Sequence, residues 1–249
     1  MTITTDLEWE YAPSGFFEAP IDVVLQSGAL RVGQGQAVLT LTSAVDPIPP
    51  IVLELARQEV EAVFAVHRML TRQRLTLLGP STVQHLSGGS RILAAGAVVE
   101  ALSAMDNIDV VVIDSFGNVK SASRSERIAG TVRSLRELGP KVTGSPTLRR
   151  MIESFGNSIE DPVNELLHLY EVRDAACSHF GNPRAAQDAL AVSRSKWSDF
   201  GRIANDEPIL HGRHRGKYIG PMRPATGDEL ELVREVALLI ITRFSDTLK

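Results

Sequence analysis

The sequence predicts an α+β fold, with a mixed, β-rich N-terminal domain that also contains helices (1–140) and an all-α C-terminal domain (141–249). Three observations predict this fold. Apolar and polar residues alternate early in the chain, as they do in half-buried strands. Helix-start signals recur later in the chain. Between the two parts lie residues 139–147, with two Pro and two Gly, a composition typical of a boundary.

The β character of the N-terminal region is clearest in residues 7–42. Gly33 and Gly35 separate the run Ala29–Val32 from the alternating run Ala37–Thr42. Two such runs joined by a short Gly-containing segment are typical of a β-hairpin. We therefore expect an antiparallel sheet to begin here.

A helix and further strands are predicted to follow. Pro50 suits the first turn of a helix that runs from about Ile51 to Leu70. The remaining predicted elements of this region are a strand at Leu75–Leu78, a segment that fits either a strand or a buried helix at Ile92–Leu102, and a strand at Ile108–Asp114 with a turn at Ser115–Asn118.

Capping patterns predict the later helices. Ser123 and Glu126 form an S-x-x-E capping box that opens a helix to about Leu138, and Gly139-Pro140 is expected to end it. Four more helices are predicted in the C-terminal domain: Asp161-Pro162 to His179, Arg184–Ala191 after Asn182-Pro183, Ser193 to about Asn205, and Thr226 to about Thr247.

The charge of the chain is unevenly distributed. The protein carries a net charge of -4, yet the segment Asn182–Arg223 holds 8 Lys or Arg against 4 Asp or Glu, a net of +4. Such segregation favours a surface that meets an anion, and a nucleic-acid backbone is the commonest large one. Within this segment, Gly212 and Gly216 flank a basic cluster in which Gly lets the backbone approach a phosphate that Arg binds bidentately. The candidate anion-binding residues are Arg194, Lys196, Arg202, Asn205, Arg213, His214, Arg215 and Lys217.

The segment Ala189–Ser193, followed by Trp197 and Phe200, resembles the turn and recognition helix of helix-turn-helix DNA-binding proteins. The likeness spans about 20 residues and departs at Ala191, where that family usually has Gly, and at Gln187, where it usually has a small residue. In that family the second helix enters the major groove of DNA. The resemblance implies that Arg194, Ser195, Lys196 and Asp199 would meet base edges, whereas the alternative is a plain helical corner.

A second local pattern, from Arg173 to His179, resembles the R-x(4–6)-H signature of HEPN-type ribonucleases. Those proteins are helical bundles that dimerise and cut RNA without a metal ion. The resemblance implies that Arg173 would stabilise phosphate charge and that His179 would act as an acid or base. On an ideal helix the two side chains lie roughly 120° apart, so they converge only if His179 lies past the helix end. The alternative is that Arg173 forms an ion pair while His179 caps a helix terminus.

The whole chain also resembles a group of uncharacterised bacterial proteins that have a mixed N-terminal region and a helical C-terminal region. The resemblance rests on Trp9-Glu-Tyr11, on Asn164–Glu171, and on Gly201–Pro208 before Gly212-Arg-His. It implies the layout of the fold and no particular activity.

These observations leave three hypotheses for the function. The first is a nucleic-acid-binding accessory protein, with DNA or RNA as its partner. The second is a metal-independent ribonuclease that acts as a toxin or defence effector. The third is a non-catalytic subunit of a larger assembly, a homo-oligomer or a complex with another protein, because the last helix is rich in apolar residues (Leu232, Val236, Leu239, Ile240 and Phe244).

Composition limits the setting in which the protein is expected to act. The only cysteine, Cys177, excludes an internal disulfide and a multi-Cys zinc site, and suits a reducing cytoplasm. The first residues are polar and acidic, which is unlike a signal peptide, and no apolar run is long enough to span a bilayer. We expect a cytoplasmic protein with no membrane association, metal or cofactor, and the balance of motifs leans against an enzyme.

Overall fold

A computed structural model of the protein describes residues 3–43, 48–86, 89–94, 111–113, 119–213 and 220–248. It confirms the α+β fold. Contacts divide the chain into two compact units, Met1–Pro140 and Lys141–Lys249. The predicted turn at Ser115–Asn118 and most of Ile108–Asp114 lie outside the described residues, as does the part of Ile92–Leu102 that follows Ala94.

The N-terminal unit contains a six-stranded sheet in the order β2-β3-β4-β1-β5-β6, and every neighbouring pair is antiparallel. The hairpin predicted at Gly33 and Gly35 is confirmed, because β3 pairs with β4 and Gly35 adopts a φ of 74°. A second sheet contains β7 and β8. The strands are β1 (Ile3–Ala12), β2 (Ile21–Val24), β3 (Gly28–Val32), β4 (Gln36–Ser43), β5 (Thr76–Leu86), β6 (Gly89–Ala94), β7 (Val111–Ile113) and β8 (Val119–Ala122).

The core of this unit forms where the buried stripe of α1 (Pro50–Thr71) meets aromatic residues from β1 and the turn after it. The Phe64 ring lies 5.2 Å from that of Tyr11 and 5.3 Å from that of Phe17. The helix also holds the β2–β3 turn, because the buried carboxylate of Glu59 accepts hydrogen bonds from the Gln26 and Ser27 backbone amides at 2.9 and 3.0 Å. Full burial of such apolar side chains contributes roughly 1.5–3 kcal/mol each.

One predicted boundary is wrong. The helix that opens at Ser123 does not end at Gly139-Pro140 but continues to Gly144 as α2 (Ser123–Gly144). Leu135 and Val142 are both buried, on either side of Pro140, and Lys141 Nζ donates to the Ser245 carbonyl oxygen at 2.7 Å. Packing on both sides therefore outweighs the helix-breaking tendency of Pro.

The rest of the C-terminal unit is helical. Its longer helices pack through apolar stripes, with the most extensive packing between α3 and α4 and further packing of α4 on α7. The Thr226 capping box is confirmed, since Thr226 Oγ1 and the Glu229 carboxylate each accept a hydrogen bond from the other residue's backbone amide. The helices are α3 (Pro146–Glu160), α4 (Glu165–Phe180), α5 (Pro183–Ala189), α6 (Arg194–Gly201) and α7 (Gly227–Thr247), with a short π-helical turn at Arg202–Asp206.

Candidate nucleic-acid interface

The segment from α5 to α6 forms a tight helical corner. Asn182 Oδ1 accepts from the Ala185 amide at 2.9 Å at the start of α5, and Ser193 Oγ accepts from the Lys196 amide at 3.3 Å at the start of α6. Between the helices Ala191 adopts a left-handed conformation, with a φ of 49°. This is the position where helix-turn-helix proteins usually have Gly, so the backbone takes the conformation for which that Gly is suited. Gln187, the other departure, donates from Nε2 to the Val192 carbonyl oxygen at 3.2 Å and braces the turn.

The inner face of α6 is anchored in the unit. Trp197 and Phe200 are buried, and the Phe200 ring lies 6.2 Å from the Tyr170 ring of α4. The Arg173 guanidinium carbon lies 4.7 Å from the centre of the Trp197 ring. A Cβ added to Gly201 would lie only 2.7 Å from Arg173 Nη1, so Gly201 is what allows the guanidinium to pack so closely. These contacts fix which face of α6 points outward.

The outward face carries cations at the start of α6. Arg194, Ser195 and Lys196 are exposed, and within the part of the chain that the structure describes neither Arg194 nor Lys196 has an ion-pair partner. Arg184, at the start of α5, is likewise exposed without one among the described residues. Arg184 was not among the residues predicted from the sequence, although its place directly after the Asn182-Pro183 cap signal could have identified it. We call Arg184, Arg194 and Lys196 the corner cations.

Other arginines of the same basic segment are engaged in ion pairs. Arg202 pairs with Glu207 through a short contact and with Asp199 at 3.5 Å. Arg223 also contacts Glu207, and it binds Glu229 bidentately at 2.6 and 2.7 Å. The hydrogen bonds from Arg223 hold the pKa of Glu229 at about 2. Glu207 therefore lies between two guanidinium groups and offsets much of their charge.

Arg213 is also paired, although it belongs to the basic cluster. Its Nη1 lies 2.7 Å from Asp174 Oδ2, and its guanidinium carbon lies 4.9 Å from the centre of the Tyr170 ring. Asn205 Nδ2 donates a hydrogen bond to Asp206 Oδ1 at 2.7 Å. The remaining candidates, His214, Arg215 and Lys217, lie outside the described residues. Of the candidates it describes, the structure thus leaves Arg194 and Lys196 available and engages Arg202, Asn205 and Arg213.

The structure does not bring Arg173 and His179 together. His179 lies in the last turn of α4, which extends to Phe180, so it is not past the helix end as convergence would require. Arg173 Nη1 lies 3.1 Å from the Tyr170 hydroxyl and packs on Trp197. The His179 ring lies 4.8 Å from each of the Phe180 and Phe244 rings. The two side chains contact different neighbours, and Arg173 holds the helical corner in shape.

The apolar residues of the last helix are used largely inside the unit. Val236, Ile240 and Phe244 are buried against the neighbouring helices.

Among the described residues there is no group of three His, Cys, Asp or Glu side chains that could hold a metal ion. None of the helices in the described part of the chain has both the length and the apolar character needed to cross a bilayer. Cys177 is half-buried, and this burial raises the pKa of its thiol.

No protein-family model, curated protein sequence or solved structure matches the chain. The likenesses to helix-turn-helix proteins, to HEPN-type ribonucleases and to bacterial two-region proteins therefore stay resemblances of motif and layout. Any function has to be argued from the geometry of the residues themselves.

Proposed function

We propose that the protein binds nucleic acid, and duplex DNA in particular, through the exposed first turn of α6. The observation that carries the proposal is that Arg194 and Lys196 are exposed, have no ion-pair partner among the described residues, and lie on a helix that follows a left-handed turn at Ala191. A helix held in this way can enter the major groove with its first residues toward the base edges.

The electrostatics of the corner support the same proposal. The amide end of α6 adds partial positive charge beside Arg194 and Lys196. Unpaired guanidinium and ammonium groups can meet phosphates without first giving up an internal partner. Arg202, Arg213 and Arg223 would have to break ion pairs with Asp174, Glu207 or Glu229 before doing so. The corner cations are therefore expected to dominate the binding field in the described part of the unit.

Salt dependence of binding tests this proposal. The full chain is titrated into a fluorescently labelled DNA duplex of about two helical turns at four salt concentrations, and anisotropy is recorded. Each phosphate contact is expected to contribute about -0.9 to the slope of log K against log salt, so two to three contacts predict a slope of about -2 to -3. A Kd that does not change with salt, or no binding at the lowest salt, would contradict the proposal.

A parallel titration with single-stranded RNA separates the alternatives. Groove reading predicts tighter binding to the duplex than to the RNA. The RNA samples are also run on a denaturing gel. Cleavage that disappears in a His179→Ala protein would move the assignment to the ribonuclease hypothesis, and an intact RNA would leave the DNA-binding proposal in place.

A further inference from the structure

The N-terminal unit contains a cavity of about 330 Å³ between the end of α1, the turn after β1 and one face of α2. This volume lies at the small end of the range for ligand pockets. Most of its wall is apolar, with contributions from Phe16, Phe17, Leu70 and Ile128. Aromatic and aliphatic walls of this kind suit a ring compound.

The cavity exists because α2 presents small side chains to it. Gly130, Thr131 and Ser134 lie on the face of α2 that lines the space. A Cβ added to Gly130 would meet nothing within 4 Å. Helix faces turned toward an apolar interior normally fill it with larger side chains, because protein interiors are close-packed. In this protein the small side chains of α2 leave the space open.

His67 lines the cavity and has a ring nitrogen without a hydrogen-bond partner among the described residues. The residue is only 3 % exposed, and its Nε2 lies 2.7 Å from the Phe16 carbonyl oxygen. A carbonyl oxygen can only accept a hydrogen bond, so Nε2 carries the proton, and Nδ1 of the neutral ring is an acceptor. Nδ1 is buried and has no hydrogen-bond partner among the described residues. Such a group is costly to leave unpaired.

The charges around the cavity balance one another. Arg127 Nε donates to Glu18 Oε1 at 3.1 Å, and both residues line the wall. Arg124 adds a hydrogen bond to the Glu18 carbonyl oxygen at 2.8 Å. Burial lowers the pKa of His67 to about 4, so the ring is neutral at physiological pH. A charged ligand would therefore find no unpaired counter-charge among these residues, and a neutral ligand is favoured.

We propose that this space, the His67 cavity, binds a small, neutral, flat ring compound that donates one hydrogen bond to His67 Nδ1. The ring contacts the apolar wall, and its N–H or O–H group satisfies the orphaned acceptor. The site is independent of the nucleic-acid interface, because all of its lining residues belong to the N-terminal unit.

Two matched probes test the proposal on the full chain. Indole is flat, neutral and carries one N–H donor, whereas 1-methylindole has nearly the same shape without the donor. Each probe is titrated and followed by saturation-transfer NMR. We expect saturable indole binding and at least tenfold weaker binding of 1-methylindole. Equal affinities of the two probes, or no indole binding up to its solubility limit, would overturn the proposal.

A pair of variants locates the site without disturbing His67. Gly130→Leu places a side chain in the cavity and has a higher helix propensity than the native residue, so the protein is expected to fold. The control is Ala129→Leu, on the exposed side of the same helix. Indole affinity should fall at least tenfold in Gly130→Leu and change less than twofold in Ala129→Leu. Retention of full affinity in Gly130→Leu would place the indole elsewhere and reject the site.

Discussion

Two groups of cations within the C-terminal unit differ in what surrounds them. The corner cations Arg184, Arg194 and Lys196 are exposed and have no ion-pair partner among the described residues. Arg202, Arg213 and Arg223 lie close by in sequence but contact Asp174, Glu207 or Glu229. Both groups count equally in the net charge of +4 between Asn182 and Arg223. The electrostatic field that a ligand meets therefore depends on ion pairing as much as on the number of basic residues.

The most buried ion pair among the described residues gives the largest expected effect on stability. Arg234 binds Glu165 bidentately, with Nη2 2.8 Å from Oε2, and Glu165 is only 5 % exposed. Arg234→Met would leave a buried carboxylate without its partner, and we expect a loss of about 3 kcal/mol in the free energy of unfolding. Urea denaturation of the variant and the wild type measures this loss in the free energy of unfolding. The matched change at an exposed arginine, Arg194→Met, should lower the free energy of unfolding by less than about 0.5 kcal/mol. A similar loss in both variants would show that the buried ion pair contributes no more to stability than the exposed cation.

The N-terminal unit also contains a buried titratable group, the imidazole of His67. Its pKa of about 4 in the fold lies below the unfolded value of 6.5. The stabilisation that it gives in the neutral form is therefore complete above pH 6.5 and is lost as the pH falls through 4. We expect a loss of roughly 2–3 kcal/mol between pH 7.5 and pH 4.5.

Urea denaturation at the two pH values measures this loss, and a His67→Phe protein isolates it from the titration of other groups. The variant should show a smaller decrease than the wild type. Equal decreases in the two proteins would mean that His67 does not titrate with a lowered pKa.

Gly201 tests how the corner is held. In Gly201→Ala the new methyl group would press on Arg173 Nη1, which is confined by its contacts with Trp197 and Tyr170. We expect a loss of about 1–2 kcal/mol in stability, in the range of a strained core substitution. The corner should also become less ordered, which amide hydrogen exchange of α6 would detect. Unchanged protection in α6 would show that Arg173 does not position this helix.

A substitution at Ala191 is expected to raise stability instead of lowering it, and by the smallest amount of these predictions. Its left-handed φ of 49° costs energy for any residue with a Cβ. Ala191→Gly should therefore stabilise the protein, by up to about 1 kcal/mol in thermal or urea denaturation. DNA affinity should be retained, because the turn keeps its shape. A loss of stability in this variant would mean that the turn is not left-handed in solution.

Many local elements could be predicted from the sequence, although the helix α3 (Pro146–Glu160) was not. The alternation of apolar and polar residues predicts the β3–β4 strand pair around Gly35. The capping residues Asn182, Ser193 and Thr226 predict where α5, α6 and α7 begin. These signals act over a few residues, which is the range over which sequence patterns are informative. The continuation of α2 through Pro140 could not be predicted, because it depends on packing around Leu135 and Val142.

The state of the charged residues depends on contacts between distant parts of the chain. Asp174 meets Arg213 across 39 positions, and Glu165 meets Arg234 across 69. No local pattern identifies such distant partners, so Arg213 was predicted to lie on the same surface as Arg194 and Lys196. Arg202 differs, because its partners Asp199 and Glu207 lie only three and five positions away in the sequence. The buried, unpaired Nδ1 of His67 is a similar case, since the sequence offered only an isolated histidine.

The proposed nucleic-acid binding depends on the cations that have no ion-pair partner among the described residues, not on the count of basic residues. Two double variants that remove the same formal charge test it: Arg194→Ala with Lys196→Ala, and Arg202→Ala with Arg213→Ala. Duplex-DNA affinity and its salt slope are measured for both. The first should lose about tenfold or more in affinity and flatten the slope by about 1–2, and the second should change affinity by less than about threefold. Equal losses in the two variants, or a larger loss in the second, would show that ion pairing does not decide which cations bind DNA.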